Sequence, residues 1–112
     1  MIGRRFEEAE ETVEHGNVYH MLLKRSDTET LEVAKVKLKP GAHTPRSSHP
    51  DEEEVYFFLG GSALLTIDGD EKRVTAGMYA YVPRNAVHEI ANDTDSPFEY
   101  IYVANFPDEG KR

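Results

Sequence analysis

The stretch RSSHPDEEEVYFFLGG, residues 46–61, carries the pattern on which both the fold and the candidate site depend. It places His49 five residues before Glu54 and then continues through aromatic residues of strand character into two glycines. Alternate side chains of an extended segment share one face at a spacing of about 6.6 Å, so Ser47 projects to the same side as His49, and Glu54 to the same side as Tyr56. Taken alone, the stretch is typical of a solvated acidic turn before a buried strand as well as of half a metal site.

Short apolar runs, separated by Gly, Pro, Asn and Asp, fill the chain from Val18 onward. Each run has the length of a strand and is rich in β-branched and aromatic residues, which favours β-structure. The runs cover residues 18–25, 31–38, 54–59, 63–67, 72–76, 78–83, 88–92 and 98–106. Such a succession of short strands predicts an all-β sandwich or barrel with a single core.

Two turns have recognisable chemistry. Asp68 and Gly69 lie between two predicted strands, and an Asp-Gly pair tolerates the positive φ angles of a tight hairpin turn. Further on, Pro83 fixes φ at a corner, and Asn85 is one of the few residues besides glycine that accept a left-handed conformation. This corner delivers His88 to the start of the next strand.

The N-terminal segment FEEAEETVEHG, residues 6–16, differs from the rest. Its apolar residues stand near helical spacing on an acidic background, and Gly16 ends the pattern early, which predicts a lid or a single helical turn. We therefore expect an acidic extension over residues 1–17, a β-barrel domain over residues 18–107 and a C-terminal tail over residues 108–112.

The charge and composition exclude several classes of partner. The chain has 21 acidic and 13 basic residues and a formal net charge of -8, so its field repels phosphate backbones and anionic lipids. No apolar run approaches the roughly 20 residues of a membrane span, and no signal-peptide pattern is present, which predicts a cytoplasmic protein without nucleic-acid or membrane partners. Because the chain has no cysteine, any metal must be held by histidine, carboxylate or hydroxyl groups.

Two segments resemble the two sequence motifs of the cupin superfamily, G(X)5HXH(X)3,4E(X)6G and G(X)5PXG(X)2H(X)3N. Residues 41–61 follow the first spacing and residues 77–92 follow the second. The positions that carry the resemblance are Gly41, Ser47, His49, Glu54 and Gly61 in the first motif, and Gly77, Pro83, Asn85, His88 and Asn92 in the second. The resemblance covers about residues 31–106 and implies a double-stranded β-helix, or jelly-roll, barrel.

The resemblance also implies a metal site, with a departure. Ser47 stands where cupins have their first metal-binding histidine, so the implied ligands are His49, Glu54 and His88. Their chemistry suits a divalent transition metal such as Fe, Mn, Ni, Co or Zn. Glu53, followed by Gly60, fits the first motif as well as Glu54 followed by Gly61 does. We favour Glu54 because the distance from Gly61 to the hairpin at Gly69 matches the usual cupin hairpin.

Two residues are candidates for the coordination position that the missing histidine leaves. His43 has the same strand parity as His49, but an extended chain would put the two about 20 Å apart unless it bends sharply at Pro45. The hydroxyl of Ser47, or water, is the alternative. No catalytic residue can be assigned; Tyr56, as a pocket wall, and Arg46, as a binding group for a carboxylate, are the candidates.

The resemblance implies a metal-dependent enzyme that acts on a small molecule, as a dioxygenase, isomerase, lyase or decarboxylase. The alternative is a non-catalytic cupin that binds or senses a small ligand with a weakly held metal or none. Small cupins commonly form homodimers by exchanging an N-terminal strand, and the segment VYHMLLKR, residues 18–25, is where we expect such a crossover.

Overall fold

A computed structural model describes residues 1–109 of the chain and shows nine β-strands within them. Single 3-10 turns at Phe6–Glu8 and Arg25–Asp27 accompany the strands. The strands are β1 (Glu10–Glu14), β2 (Asn17–Leu23), β3 (Leu31–Leu38), β4 (Glu53–Gly60), β5 (Ser62–Ile67), β6 (Asp70–Thr75), β7 (Tyr79–Val82), β8 (His88–Ala91) and β9 (Phe98–Asn105). No helical segment within residues 1–109 has the length and hydrophobicity needed to cross a lipid bilayer.

The strands form two antiparallel sheets. A six-stranded sheet has the order β1-β2-β3-β9-β4-β7, and a three-stranded sheet has the order β6-β5-β8. Strands distant in sequence are neighbours, since β9 lies between β3 and β4, and β5 pairs with both β6 and β8. This is a jelly roll, and it confirms the predicted all-β fold.

The core fills the space between the two sheets. Inward-facing side chains of the larger sheet, including Val36, Leu38 and Phe98, meet Leu65 and Ile90 of the smaller one, and all of them are almost completely buried. Burying an aliphatic or aromatic side chain of this size contributes roughly 1.5–3 kcal/mol. The core therefore holds the two sheets together without a helix between them.

The core changes from apolar to polar along β4, and this change positions the site. The inward residues of β4 are Phe58, Tyr56 and Glu54 in turn. Phe58 pairs with Tyr100 of β9, and Tyr56 pairs with Tyr102. Phe58 is packed among aromatic rings, whereas Glu54 is a buried carboxylate at the far end of the strand. The polar end of the core is consequently the place where a cavity opens.

The predicted turns are confirmed. Asp68 and Gly69 have φ angles of 48° and 82°, which makes the tight hairpin between β5 and β6. Asn85 has a φ of 68°, in the left-handed region that asparagine was expected to accept at that corner.

The N-terminal segment was predicted to form a lid or a single helical turn, and it contains one such turn at Phe6–Glu8 but is otherwise a strand. After one 3-10 turn it forms β1, which pairs with β2 through a two-residue turn in which His15 and Gly16 have φ angles of 52° and 77°. All five residues of β1 are exposed, so no alternation of apolar and polar residues marked this strand. The segment predicted to cross over to a partner forms β2, which pairs with β1 and β3 of the same chain.

The predicted C-terminal tail lies only partly within the described residues. Asp108 forms an ion pair with Arg84 at 3.2 Å, and Glu109 pairs with Arg25. Residues 110–112 lie outside the described part of the chain.

Candidate metal centre

His49, Glu54 and His88 converge at the polar end of the core. One ligand atom from each lies within 4.8 Å of the others. The two imidazole rings are 5.3 Å apart between centroids, and Nε2 of His88 is 3.2 Å from Oε2 of Glu54. The structure thus brings together the three side chains that the motifs predicted as ligands, from the loop before β4, from β4 and from β8.

His88 is held at both its backbone and its ring. Its N–H donates to the carbonyl of Ser47 and its carbonyl accepts from the N–H of Ser47, at 2.9 and 3.1 Å. The ring Nδ1 donates to the carbonyl of Ala86 at 2.9 Å, which leaves Nε2 facing Glu54. Burial lowers the pKa of His88, but the hydrogen bonds to Glu54 and Ala86 outweigh it, so the pKa lies above its ordinary value.

His49 depends on the second motif for its position. The N–H of Asn85, in the left-handed corner, donates to the carbonyl of His49 at 2.8 Å. The ring Nδ1 of His49 is 3.5 Å from Oε1 of Glu52. A carboxylate beside one ring nitrogen is the arrangement that orients a metal-binding imidazole.

Strand alternation decides between the two glutamates. Glu54 faces inward and is only 8% exposed, and the hydroxyl of Tyr56 lies 3.4 Å from its Oε2. Glu53 faces the other side of β4, where its carboxylate accepts hydrogen bonds from Tyr81 at 2.9 Å and Asn105 at 3.3 Å. Glu54 is therefore the glutamate of the cluster, as the motif spacing favoured.

A cavity of about 220 Å³ opens onto the cluster. Tyrosines form much of its wall, and burial raises the pKa of Tyr56 and of Tyr100 well above the ordinary value. These phenols therefore keep their protons at neutral pH. The tyrosines that line the cavity are Tyr19, Tyr56, Tyr100 and Tyr102.

Two acidic residues of the cavity were missed in the sequence. Glu32 lines the wall and accepts a hydrogen bond from the hydroxyl of Tyr102 at 2.9 Å. Burial, together with the nearby carboxylates of Glu54 and Glu32, raises the pKa of Glu52 to about 7. Glu52 stands in the acidic run that is typical of a solvated turn, so it had no signal in the sequence. Glu32 has the strand parity of Ala34 and Val36, and this alternation is the signal that could have placed it on the inner face.

Of the remaining candidate residues, some line the cavity and others lie outside it. Ser47 and Tyr56 line the cavity. His43 is exposed, pairs through its backbone with Ala91 and is not in the cluster, and its ring Nδ1 is 2.9 Å from the carbonyl of Thr44. Arg46 lies outside the cavity, in a separate small depression that Glu89 also lines.

The residues present fit a divalent transition metal. Two imidazoles and a carboxylate form a ligand set that leaves coordination positions open, and Nε2 of His88 already faces the other ligands. The carboxylates of Glu32, Glu52 and Glu54 line one cavity and repel one another. A cation at the cluster would relieve this repulsion.

A two-sheet jelly roll with such a cluster at one end of its core defines a small cupin-type barrel. The family profile of the cupin domain matches residues 34–104, from β3 to β9, and the chain belongs to this family. This agrees with the resemblance that the two motifs carry.

Curated relatives match over part of their length. The alginate biosynthesis protein AlgA of Pseudomonas aeruginosa is 30% identical over 73 residues, which cover 65% of this chain and 15% of that protein. An uncharacterized protein of Methanocaldococcus jannaschii is 29% identical over 75 residues, covering 67% of this chain and 59% of that protein. The chain thus spans less than two thirds of the length of either relative.

Solved structures show the same fold over nearly the whole chain. A predicted oxalate decarboxylase from Thermotoga maritima superimposes with a TM-score of 0.84 at 21% identity, covering 91% of this chain and 96% of that one. The polyketide cyclase RemF from Streptomyces resistomycificus gives a TM-score of 0.80 at 20% identity, covering 94% and 80%. At these identities the likeness concerns the fold alone.

Proposed function

We propose that this cupin is a metal-dependent enzyme that acts on a small molecule, with His49, Glu54 and His88 as the protein ligands of one divalent transition metal ion. The observation that carries the proposal is the convergence of these three ligand atoms within 4.8 Å at the edge of a cavity. A buried cluster that opens onto a cavity lets a bound metal and a substrate meet, which a structural metal site does not require.

A metal ion held by such a ligand set supplies Lewis-acid chemistry toward an oxygen atom of the substrate, or activates dioxygen. The chain's own groups prepare the site. The carbonyl of Ala86 keeps the proton of His88 on Nδ1, and Glu52 orients the ring of His49. The protonated phenol of Tyr56 and the hydroxyl of Ser47 offer hydrogen bonds to a substrate in the cavity.

The reaction class follows from likeness to proteins of the same fold and is a proposal of the same kind. A predicted oxalate decarboxylase and a polyketide cyclase are among those with the same architecture, so a lyase, isomerase, dioxygenase or decarboxylase reaction on a small molecule is in keeping with the site. The cytoplasmic location expected from the sequence stays a prediction.

One observation favours a second candidate, a non-catalytic cupin that binds a small ligand. Ser47 replaces a histidine ligand and lies directly beside His88 in the backbone pairing. Three protein ligands hold a metal less tightly than four. A binding protein would therefore show weak metal retention together with ligand binding and no turnover.

Metal analysis of the purified protein, before and after loading with Mn²⁺, Co²⁺ or Fe²⁺ under anaerobic conditions, tests the proposal. We expect close to one equivalent per chain in the wild type and a loss of at least about tenfold in metal affinity in His88→Ala. His43→Ala is the matched control, since His43 is a nearby histidine outside the cluster, and it should keep the metal. Circular dichroism establishes that both variants are folded.

A wild-type protein that takes up no metal after loading would overturn the metal proposal, as would equal retention by His88→Ala. Where metal binds, turnover in a screen of small hydroxylated and carboxylated compounds separates the enzyme from the binding protein. Binding without turnover supports the second candidate.

A further inference from the structure

The charges around the cavity are unevenly distributed. Three carboxylates face it, those of Glu32, Glu52 and Glu54. Among residues 1–109, no lysine or arginine lines the cavity, and Arg46, the nearest candidate in the sequence, lies outside it. Within the described part of the chain, the basic groups of its wall are the imidazoles of His49 and His88, which are the proposed metal ligands.

The carboxylates of the wall also bear on how a metal-loaded cavity would receive an anion. The charge of a divalent ion bound here would be opposed by the three carboxylates of Glu32, Glu52 and Glu54. Coulomb interactions over the few ångströms of such a cavity are strong because buried charges are poorly screened. An incoming dianion would meet Glu32 and Glu52, and no lysine or arginine among residues 1–109 lines the wall to compensate their charge.

The hydrogen-bonding groups of the wall suit a different class of molecule. Glu32 and Glu52 present acceptor oxygens, and the phenols of Tyr19 and Tyr100 present hydroxyl groups. Acceptor oxygens match the O–H and N–H groups of alcohols, amides and amines. A cavity of about 220 Å³ has room for a molecule the size of roughly seven waters at about 30 Å³ each.

We infer that the cavity selects a small neutral or cationic molecule that carries hydroxyl, amide or amine groups, and that Glu32 is the residue that discriminates against small dianions. The inference rests on the proposed function, whose site it shares. By this selectivity the chain would differ from a cupin whose substrate is a dianion such as oxalate, although its fold is similar to that of a predicted oxalate decarboxylase.

Glu32 is the appropriate residue to test because it stands apart from the proposed ligands. It belongs to β3, where it lies in one row with Ala104 of β9 and Glu54 of β4, so β9 separates it from the proposed ligand on β4, and its carboxylate contacts Tyr102. Removing its charge should change the selection among ligands without removing a metal ligand.

Oxalate, oxamate and oxamide form a suitable series, because they share one two-carbon frame and carry two, one and no negative charges. Their binding to metal-loaded protein is measured by calorimetry, and to metal-free protein by the chemical shifts of the cavity tyrosines. Glu32→Gln should tighten oxalate about tenfold and oxamate about threefold, and it should leave oxamide within about twofold.

Two control variants accompany the test. Glu32→Asp keeps the charge while shortening the side chain, so it should keep the wild-type preference. Glu99→Gln removes the same charge from the outer face of β9, where Glu99 pairs with Lys35 at 3.2 Å, and it should leave all three affinities unchanged.

The outcomes separate the two proposals. An equal effect of Glu32→Gln on the three compounds, or the same effect in Glu99→Gln, overturns the inference even in a protein that binds metal. A protein that takes up no metal but shows the charge-dependent effect in its metal-free form overturns the proposed function and supports the inference.

Discussion

Gly61, at the scale of the single residue, closes the first motif in a backbone conformation that other residues rarely adopt. Its φ is 84°, and a β-carbon built on it would lie 2.4 Å from the carbonyl oxygen of Pro97. Gly61→Ala should therefore destabilise the fold by about 3 kcal/mol or more, from backbone strain together with overlap against backbone atoms. Urea denaturation measures the change as a lower midpoint at unchanged slope.

Gly60 is the matched control for this prediction. It is the preceding residue, and a β-carbon there would contact nothing within 4 Å. Gly60→Ala should change the stability by no more than about 1 kcal/mol. Similar midpoints for the two variants would contradict the steric argument.

The same two glycines show what the sequence could predict at this scale. Motif spacing left Glu53–Gly60 and Glu54–Gly61 as alternatives, and the structure favours the second pair both by the positive φ of Gly61 and by the inward side chain of Glu54. The cavity carboxylate of Glu52 was beyond prediction, because it lies in the acidic loop before β4. Glu32 shares the strand parity of the buried Ala34 and Val36, so alternation could have placed it inward, although not at the cavity.

At the scale of elements, an ion pair ties β6 to the loop between β8 and β9. Arg73 donates to both carboxylate oxygens of Asp93, at 3.1 and 2.6 Å, and this hydrogen bonding lowers the pKa of Asp93. Because the folded-state pKa lies below the unfolded one, the pair stabilises the fold above about pH 4. That stabilisation is lost as the pH falls through the folded-state pKa.

The variant Arg73→Met tests this pH dependence. NMR titration should show the pKa of Asp93 rising toward its ordinary value of 3.8, and the stability difference from the wild type should shrink as the pH falls below the lowered pKa. Lys72→Met removes the same charge from the adjacent residue of β6 and should leave the pKa of Asp93 unchanged. A stability difference that stays constant down to low pH would contradict the assignment.

The elements also differ in how well the sequence predicted them. Runs with buried alternate residues, such as residues 31–38, coincide with strands because alternation of apolar side chains reflects one buried face. Strand β1 has no buried face, and it forms because the turn at His15 and Gly16 brings its backbone to the edge of β2. The hydrophobic pattern therefore could not predict it, although the glycine of its turn was visible.

At the scale of the whole molecule, the outer face of the six-stranded sheet carries an apolar band. One row of paired residues crosses five strands, and a second, shorter row lies beside it. The rows are Leu23, Val33, Val103, Val55 and Tyr81, and then Ile101, Phe57 and Tyr79. The charged residues on this face of β3, β4 and β9 are two lysines and two glutamates, Lys35, Lys37, Glu53 and Glu99, whereas the whole chain has a net charge of -8.

This apolar band predicts where the expected homodimer forms. Phe57 is 46% exposed and Tyr79 is 75% exposed. A sheet face in contact with water alone would carry mainly polar side chains, so exposed aromatic residues here indicate a contact surface. A twofold axis through the band would pack the band of one copy against the band of the other. The balanced charges of this face would avoid the repulsion expected between two acidic chains. The strand exchange expected from the sequence is not needed for such a contact, since β2 is paired within its own chain.

Light scattering after size exclusion tests the homodimer, which should show twice the mass of the chain. Phe57→Lys places a charge at the centre of the apolar band, where burying it against a second copy is costly, so this variant should elute as a monomer with an unchanged circular dichroism spectrum. Ala76→Lys adds the same charge at an exposed position after β6, on the other sheet, and should remain a dimer. A wild type that is monomeric at all concentrations would contradict the homodimer, and a dimeric Phe57→Lys would place the interface away from the band.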